Sequence, residues 1–395
     1  MRSKIIFLVL LIVLLLQPLL IIFQNQSKFF GRGYASRFES LQEKYYNSQY
    51  ATKNYKEIIT DEFLESFAGG KFLQGISPIL IHHDQPPLGR YIIALSIALF
   101  DNEKTIPLIL LMISALGIYL VGLQVLKNKF LALIPFGIFV NQLMFLNKFN
   151  FIPLLEPIQF TYIIFAIYAF IVGVQKKIYI PFFIIVALLI GAVISIRYFV
   201  LGAALASSFV LYLILNKKII QTVVLSMSFF LSFLILIGSY YQTFLSGYSL
   251  VKVIGIQKYI FVYHRSAFVM PFSFWDLLFF NRWHTWWGNN AILSDAEWSI
   301  LWPISVVIIL QFVIYSFWKK ILLSPAEQIL IIWISVYAIM LSVGYTSTRY
   351  FLPLVPFLYI LSIDFIIRII KFPFKKSRTH KKISKNNPKT IKYSR

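Results

Sequence analysis

Ten apolar segments constrain the fold of this chain more than any other feature of its sequence. The hydrocarbon core of a bilayer is about 30 Å thick, so a helix rising about 1.5 Å per residue needs about 20 apolar residues to cross it. The segments span residues 5–23, 105–126, 130–147, 157–174, 178–196, 199–215, 219–242, 299–318, 326–345 and 350–370. The sequence therefore predicts an all-α polytopic membrane protein with about ten transmembrane helices.

The composition agrees with a membrane protein and excludes other kinds of site. Hydrophobic residues make up 59% of the 395 residues, whereas soluble domains contain about 45–50%. The chain has no cysteine, which rules out disulfides and thiolate metal sites. The net charge is +22, but no folded basic surface is predicted that would suit a nucleic-acid partner.

The distribution of charge predicts which side of the membrane each loop faces. If the N-terminus is cytoplasmic, four lysine clusters and the basic C-terminus all fall on the cytoplasmic side, as the positive-inside rule requires. The clusters are Lys127/Lys129, Lys176/Lys177, Lys217/Lys218 and Lys319/Lys320. The same count places 13 of the 15 acidic residues outside, with Glu327 and Asp364 as the exceptions.

Two long outer loops, residues 24–104 and 243–298, interrupt a transmembrane domain predicted to span residues 1–370. Residues 371–395 form a tail with ten Lys or Arg and no acidic residue. This composition predicts a disordered cytoplasmic segment that faces anionic headgroups. The first apolar segment is long for a cleaved signal peptide and no small-residue cleavage site comes after it, which favours an uncleaved anchor.

The first outer loop contains two stretches with the apolar spacing of short helices. One is predicted over residues 54–68 and is expected to end at Gly69-Gly70. The other is predicted to begin at Pro86-Pro87 and to continue to Leu99, because proline is well tolerated in a first helical turn. Both are too short or too polar to cross a bilayer, so they are predicted to lie as amphipathic helices along the outer interface.

Two polar clusters in this loop could carry chemistry or could simply cap helices. Asp61 and Glu62 come after Thr60, and acids in a first helical turn favour the helix dipole whatever their function. Asp84 could likewise cap the helix that starts at the prolines. The sequence His82-His83-Asp84 leaves a divalent cation open, although adjacent residues seldom bind one ion.

These clusters carry a resemblance to a known family. Asp61-Glu62, then Ala68-Gly69-Gly70, then Pro86–Arg90 resemble the loop after the first transmembrane helix in GT-C glycosyltransferases. The pattern is similar in particular to the dolichyl-phosphate-mannose:protein mannosyltransferase branch, glycosyltransferase family 39, and its prokaryotic relatives. Weaker matches occur in the same order at Phe149–Pro157, Ser195–Tyr198, Tyr263-His264, Trp275–Trp287 and Arg349–Phe357. Gln85 departs from the family, which has histidine before the two prolines.

The resemblance implies a GT-C fold and transfer of a sugar, favouring a mannose-like hexose, from a polyprenyl phosphate to a hydroxyl. The acceptor would be a protein or a glycan, the active site would be extracytoplasmic, and no cofactor would be required. A single inverting displacement needs one carboxylate base, for which Asp61 is the first candidate and Glu62 the alternate.

The departing lipid phosphate needs positive charge near it, and arginine holds phosphate in a fork geometry. The candidates to bind the donor phosphate are Arg197, Arg349, Arg282, Arg265 and His264. Asp84, His83, Arg90 and Glu156 are further candidates for the site, and no metal ligand is assigned.

Other interpretations stay open from the sequence alone. The chain could be a transporter or lipid flippase, although a carrier is expected to have polar residues near the middle of the membrane. It could also be a catalytically inactive GT-C relative. Trp283, Trp286, Trp287 and Trp298 are typical of an interfacial aromatic belt, with sugar stacking or packing on the lipid tail as the alternatives. The predicted location is the plasma membrane.

Overall fold

The computed structural model describes residues 2–265, 270–285, 291–344 and 346–383 and is built almost entirely of helices. The helices are α1 (Arg2–Gln24), α2 (Gln26–Phe30), α3 (Tyr34–Tyr46), α4 (Asp61–Leu73), α5 (Leu88–Phe100), α6 (Thr105–Leu126), α7 (Leu133–Val140), α8 (Leu143–Leu146), α9 (Leu155–Gln175), α10 (Ile180–Ile196), α11 (Val200–Leu215), α12 (Ile219–Ser239), α13 (Tyr241–Leu245), α14 (Leu250–Arg265), α15 (Ser273–Phe280), α16 (Leu301–Trp318), α17 (Pro325–Ser342) and α18 (Val355–Ile383). Short 3-10 turns lie at Pro78–Leu80, Asn147–Phe149 and Thr348–Phe351. Two short antiparallel strands, β1 (Trp283–His284) and β2 (Ile292–Leu293), form a small hairpin.

Six helices in the described ranges are long and apolar enough to cross a membrane: α1, α6, α9, α12, α16 and α17. The apolar helices α10 and α11 are shorter. Every predicted apolar segment except residues 130–147 is occupied mainly by one long helix. The chain is therefore a polytopic membrane protein, as the sequence predicts.

The prediction of one transmembrane helix over residues 130–147 is wrong, because the segment breaks at Asn141 and Gln142 into α7, α8 and a 3-10 turn. The Asn141 side chain donates hydrogen bonds to the carbonyls of Gly137 and Leu14, each at 2.9 Å. Such bonds offer the backbone an alternative to the helix ladder. The break is tolerated because the surrounding residues are buried in protein rather than in lipid.

The first long loop, predicted to be extracytoplasmic, folds onto the ends of α9 and α10. Helix α4 begins at Asp61 rather than at residue 54, because the preceding segment bonds back to the end of α3: Lys56 N donates to Asn47 O at 2.8 Å. Helix α5 starts directly after the two prolines, as predicted.

Gly69 and Gly70 do not end α4, which continues to Leu73. A Cβ at Gly69 would lie 2.7 Å from Ile93 Cγ2, and one at Gly70 would lie 2.3 Å from the Tyr34 hydroxyl. The glycines thus allow α5 and α3 to approach closely. Most of α4 is buried between these neighbours, so it does not lie on the lipid surface as predicted.

Apolar contacts fix both outer loops to the bundle. In the first loop, Ile93 and Phe67 belong to one cluster with Leu155 of α9 and Ile196 of α10. In the second loop, Ile260 of α14 belongs to a cluster with Ile79 and Tyr240. The loops therefore bring polar residues of α4 and α14 over the outer ends of α9 and α10.

The two acidic residues predicted on the cytoplasmic side are paired. Glu327 forms a capping box with Ser324 at the start of α17, and Arg368 of α18 contacts both Glu327 and Asp364, the latter at 2.8 Å. Helix α18 continues to Ile383, past the predicted start of the tail at residue 371, and residues 384–395 lie outside the described ranges. Lysine and arginine have high helix propensity, which suits this continuation.

Cysteine labelling tests the predicted topology. Thr52 in the first outer loop and Lys217 between α11 and α12 are both exposed, and the native chain has no cysteine. We expect a membrane-impermeant maleimide to label Thr52→Cys on intact cells, and Lys217→Cys only after the membrane is opened. The unmodified chain serves as the unlabelled control, and labelling of both positions from one side would contradict the topology.

Candidate active site

Asp61 is the first residue of α4 and faces a cavity at one end of the bundle. The Tyr50 hydroxyl donates a hydrogen bond to Asp61 Oδ1 at 2.8 Å, and Arg349 NH1 donates to Oδ2 at 3.1 Å. The Asp61 side chain remains 47% exposed.

Arg349 and Arg197 reach the same cavity from different elements. Arg349 lies in the 3-10 turn before α18, and Arg197 comes directly after α10. Between them lies Glu156 from the first turn of α9, whose Oε1 is 3.3 Å from Arg349 NH1 and 3.0 Å from Arg197 NH1. Asp61, Arg349, Glu156 and Arg197 thus form a row of alternating charge, which we call the charge row.

Both arginines of the charge row remain cationic. Burial lowers the pKa of Arg197, but the adjacent Glu156 outweighs this and raises it above the ordinary value. Burial likewise lowers the pKa of Arg349, and Tyr350, Glu156 and Asp61 together raise it. The Tyr350 ring lies beside both guanidinium groups, with centroid distances of 5.5 Å to Arg197 and 5.3 Å to Arg349.

A second charged group lies beneath the cavity. Arg90 is 1% exposed, and its Nε and NH2 contact the two Glu65 oxygens at 2.7 and 3.2 Å. Its NH1 donates to His82 O at 2.6 Å, and its NH2 lies 3.4 Å from Asp84 Oδ1. Burial raises the pKa of Asp84, but the hydrogen bond from His82 and the charges of His82 and Arg90 hold it well below its usual range. Arg90 therefore joins α4 to the loop that precedes α5.

Two adjoining cavities meet at this site. The polar cavity, about 310 Å³, is lined by Tyr50, Asp61, Leu64, Glu65, His82, Asp84, Gln85, Leu154, Leu155, Glu156, Arg197, Tyr263, His264, Arg349 and Tyr350. The apolar cavity, about 480 Å³, is lined by Gln85, Gln159, Arg197, Tyr198, Val200, Leu201, Phe261, His264, Tyr337, Met340, Leu341, Val343, Gly344 and Tyr350. Arg197 faces both cavities and marks their junction.

Gln85 and His264 also lie at the junction. Gln85 Oε1 accepts a hydrogen bond from Tyr198 N at 3.0 Å, and Gln85 Nε2 lies 3.2 Å from His264 Nε2. Burial lowers the pKa of His264, and the charge of Arg197 lowers it further. His264 is therefore neutral at neutral pH, and it supplies hydrogen bonding rather than positive charge.

Six of the candidates from the sequence line the polar cavity: Asp61, Asp84, Glu156, Arg197, His264 and Arg349. Glu62 does not, because consecutive helical residues point about 100° apart. Arg90 lies beneath the cavity. His83 packs on the Tyr259 ring, with centroids 4.8 Å apart, and Arg282 is away from both cavities.

Part of the aromatic and basic sequence in the second outer loop lies outside the described ranges. The Arg265 side chain and residues Trp286 and Trp287 are among the parts that are not described. Trp283 Nε1 donates to Thr346 O at 2.8 Å, and Trp298 Nε1 donates to Leu278 O at 3.1 Å. Both rings pack against the bundle core.

Tyr50 and Glu65 line the cavity but were not among the candidates. Glu65 lies four residues after Asp61, so helical spacing alone places both on one face. Tyr50 carries no comparable signal. It reaches Asp61 because the Gln49 side chain bonds both the N–H and the C=O of Ile59, at 3.0 and 2.7 Å.

The carboxylates at the site are not arranged to bind a divalent cation. Among the described residues, no group of three His, Cys, Asp or Glu side chains is placed to hold an ion. Asp61 and Glu156 each contact a guanidinium group, which would repel a cation there. Asp84 is engaged by His82 and Arg90. The donor set therefore does not fit the divalent cation that the sequence left open.

The apolar helices and the charged cavity at one end of the bundle define a polytopic membrane protein. Among solved structures, the chain is similar in fold to ArnT from Cupriavidus metallidurans. The apo ArnT structure gives a TM-score of 0.50 at 15% identity, covering 77% of this chain and 54% of ArnT. The structure bound to undecaprenyl phosphate gives 0.49 at 13% identity, covering 85% and 59%.

The chain thus spans between half and three-fifths of the length of ArnT. At this level of identity, the likeness establishes the fold alone. The sequence matches no protein-family model and no curated protein sequence.

Removal of Arg90 tests whether the buried charges hold the site together. We expect Arg90→Met to lower the free energy of unfolding by about 3–5 kcal/mol, because it leaves Glu65 buried without its partner. Lys53→Met, at an exposed position of the same loop, should change stability by less than about 0.5 kcal/mol. Apparent melting temperatures in detergent measure the difference, and equal values for both variants would contradict the assigned role.

Proposed function

We propose that this chain is a membrane glycosyltransferase that moves a sugar from a polyprenyl-phosphate donor to a hydroxyl acceptor. The observation that carries the proposal is the charge row, where a half-exposed carboxylate and two partly buried arginines meet in one cavity. A carboxylate can accept the proton of an attacking hydroxyl, and fixed cations can stabilise a phosphate leaving group. The GT-C fold is consistent with this chemistry.

Asp61 is the base in this proposal. Four acidic side chains line the polar cavity, and their exposed fractions differ sharply: 47% for Asp61, 16% for Asp84, 8% for Glu156 and 7% for Glu65. Glu65 and Asp84 are engaged by Arg90, and Glu156 lies between two arginines. Asp61 is thus the carboxylate that an incoming acceptor can best reach.

The reaction is a single displacement with inversion. The acceptor oxygen attacks C1 of the sugar, its proton passes to Asp61, and the bond between C1 and the phosphate oxygen breaks. The electron pair of that bond leaves with the phosphate, whose added negative charge is stabilised by Arg197 and Arg349. Inversion requires the acceptor oxygen and the departing phosphate to lie on opposite faces of C1, and Asp61 and Arg197 stand at opposite ends of the charge row.

The apolar cavity suits the lipid part of the donor. It begins at Arg197 and continues past Leu201, Phe261 and Leu341 between α11, α14 and α17. A phosphate at Arg197 would therefore place the first prenyl units against apolar side chains, where their burial is favourable. The polar cavity would then hold the sugar and the phosphate, and the apolar cavity would hold the prenyl chain.

The finer assignments rest on the motif resemblance. It favours a mannose-like hexose, the mannosyltransferase branch of family 39, and a protein or glycan acceptor at the extracytoplasmic face of the plasma membrane. Arg349-Tyr350, Glu156 and Tyr263-His264 are motif residues that meet in the polar cavity, and this convergence supports the assignment.

A transfer assay tests the role of Asp61. Purified protein in detergent is given radiolabelled mannosyl polyprenyl phosphate with hydroxyl-bearing peptide and glycan acceptors. We expect Asp61→Asn to lower transfer by about 10²–10⁴-fold, the usual range for loss of a general base. Glu43→Gln, at an exposed acid of α3, should retain full transfer. Lipid translocation with no transfer from any donor would instead identify a flippase.

The role of Arg197 is tested in the same assay. We expect Arg197→Gln to lower turnover by about 10²–10³-fold, because the leaving phosphate loses a fixed positive charge. Arg282→Gln is the matched control, since Arg282 lines neither cavity. An equal loss in both variants would indicate a general effect of charge rather than a phosphate site.

A further inference from the structure

Glu156 has no step of its own in the proposed reaction, yet it occupies the centre of the charge row. Its Oε1 lies 3.0 Å from Arg197 NH1 and 3.3 Å from Arg349 NH1. Within the described residues this oxygen is buried and accepts no hydrogen bond. This oxygen is therefore held by the charges of the two arginines rather than by a directed hydrogen bond.

The charge row is balanced without a ligand. Asp61 and Glu156 carry two negative charges, and Arg197 and Arg349 carry two positive charges. A phosphate that enters must share the guanidinium groups with a carboxylate already beside them, since both anions bind in the same geometry. The resident carboxylate then repels the incoming anion, and the repulsion grows with the charge of that anion.

The two phosphate species of the proposed reaction differ in charge. A sugar-linked prenyl phosphate is a diester with one negative charge. The product is a monoester, which carries about −1.5 to −2 at pH 7. A fixed negative charge beside the phosphate site therefore opposes the product more strongly than the donor.

We propose that Glu156 is an internal counter-anion that weakens binding of the polyprenyl phosphate product by Arg197 and Arg349 and so promotes its release. This inference rests on the proposed function. Glu156 competes with the phosphate for the arginines and repels the dianion that forms there. It sets how tightly the site holds a phosphate monoester relative to a diester.

The experiment compares binding by the wild-type protein and by Glu156→Gln, which keeps the shape of the side chain and removes its charge. The probes are a short-chain prenyl phosphate monoester, its methyl diester and inorganic phosphate, titrated calorimetrically in detergent. We expect Glu156→Gln to bind the prenyl monoester at least about tenfold more tightly, corresponding to about 1.4 kcal/mol, with a smaller gain for the diester. Under multiple-turnover conditions, sugar transfer by Glu156→Gln should slow after the first round, because the product leaves more slowly.

Matched variants separate a charge effect from a structural one. Asp61→Asn removes a carboxylate at one end of the charge row, where it is half exposed and contacts Arg349. Its gain in affinity for the monoester should therefore be smaller than that of Glu156→Gln. Glu156→Asp keeps the charge but withdraws it by one methylene, and it should bind the monoester more tightly than wild type. If Glu156→Gln does not fold, Glu156→Asp tests whether the Glu156 charge weakens monoester binding.

Unchanged or weaker monoester binding by the foldable Glu156 variants would overturn the inference, because Glu156 would then serve to hold the arginines in place. A gain confined to inorganic phosphate would overturn the assignment of the anion to the lipid product. If the wild-type protein binds no prenyl phosphate at all, the proposed function fails as well. Wild-type binding without a gain in the variants refutes the inference alone.

Discussion

Arg90 is a buried cation on which the geometry of the outer face depends. It lies on α5, it is bonded to Glu65 on α4, and it contacts the loop between these helices through His82 and Asp84. A buried charge is tolerated only when its partners are well placed. The positions of these partners fix the orientation of α4, and with it the position of Asp61 one turn before Glu65. Asp61 is thus positioned by Arg90, with which it makes no contact of its own, as well as by its hydrogen bonds to Tyr50 and Arg349.

The bundle supplies the other half of the site by a different physical means. Glu156 and Arg197 lie at the ends of membrane helices, and Arg349 lies in the 3-10 turn between α17 and α18. Apolar contacts from Ile93 to Leu155 and Ile196 then bring the first outer loop over these ends. Apolar packing thus sets the positions of the helices, and a few ion pairs set the positions of the side chains in the cavity between them.

Hydrophobicity and local motifs were enough to predict the polytopic fold and part of the candidate site. Long apolar segments indicated the membrane helices, and the motif residues Asp61, Arg197 and Arg349 lie in one cavity. The helix break at Asn141 was missed because it depends on a bond to Leu14, which is distant in the chain.

Two other features could not be read from local sequence because they depend on tertiary packing. The extension of α4 through Gly69 and Gly70 was missed because glycine ends an isolated helix but permits close packing in a folded one. The ion pair of Arg90 with Glu65 joins α5 to α4. Arg90, which was a candidate for the cavity lining, therefore lies beneath the cavity and holds these helices together.

The two helices that flank the charge row run in opposite directions across the membrane. Glu156 stands at the amino end of α9, where the helix dipole is positive, and Arg197 stands at the carboxyl end of α10, where it is negative. On any one face of an up-and-down bundle, amino and carboxyl helix ends alternate between successive helices. Glu156 and Arg197 are therefore each matched in charge to the end of the helix that carries them. Exchanging Glu156 and Arg197 would keep the same net charge but would set both side chains against the fields of their own helices.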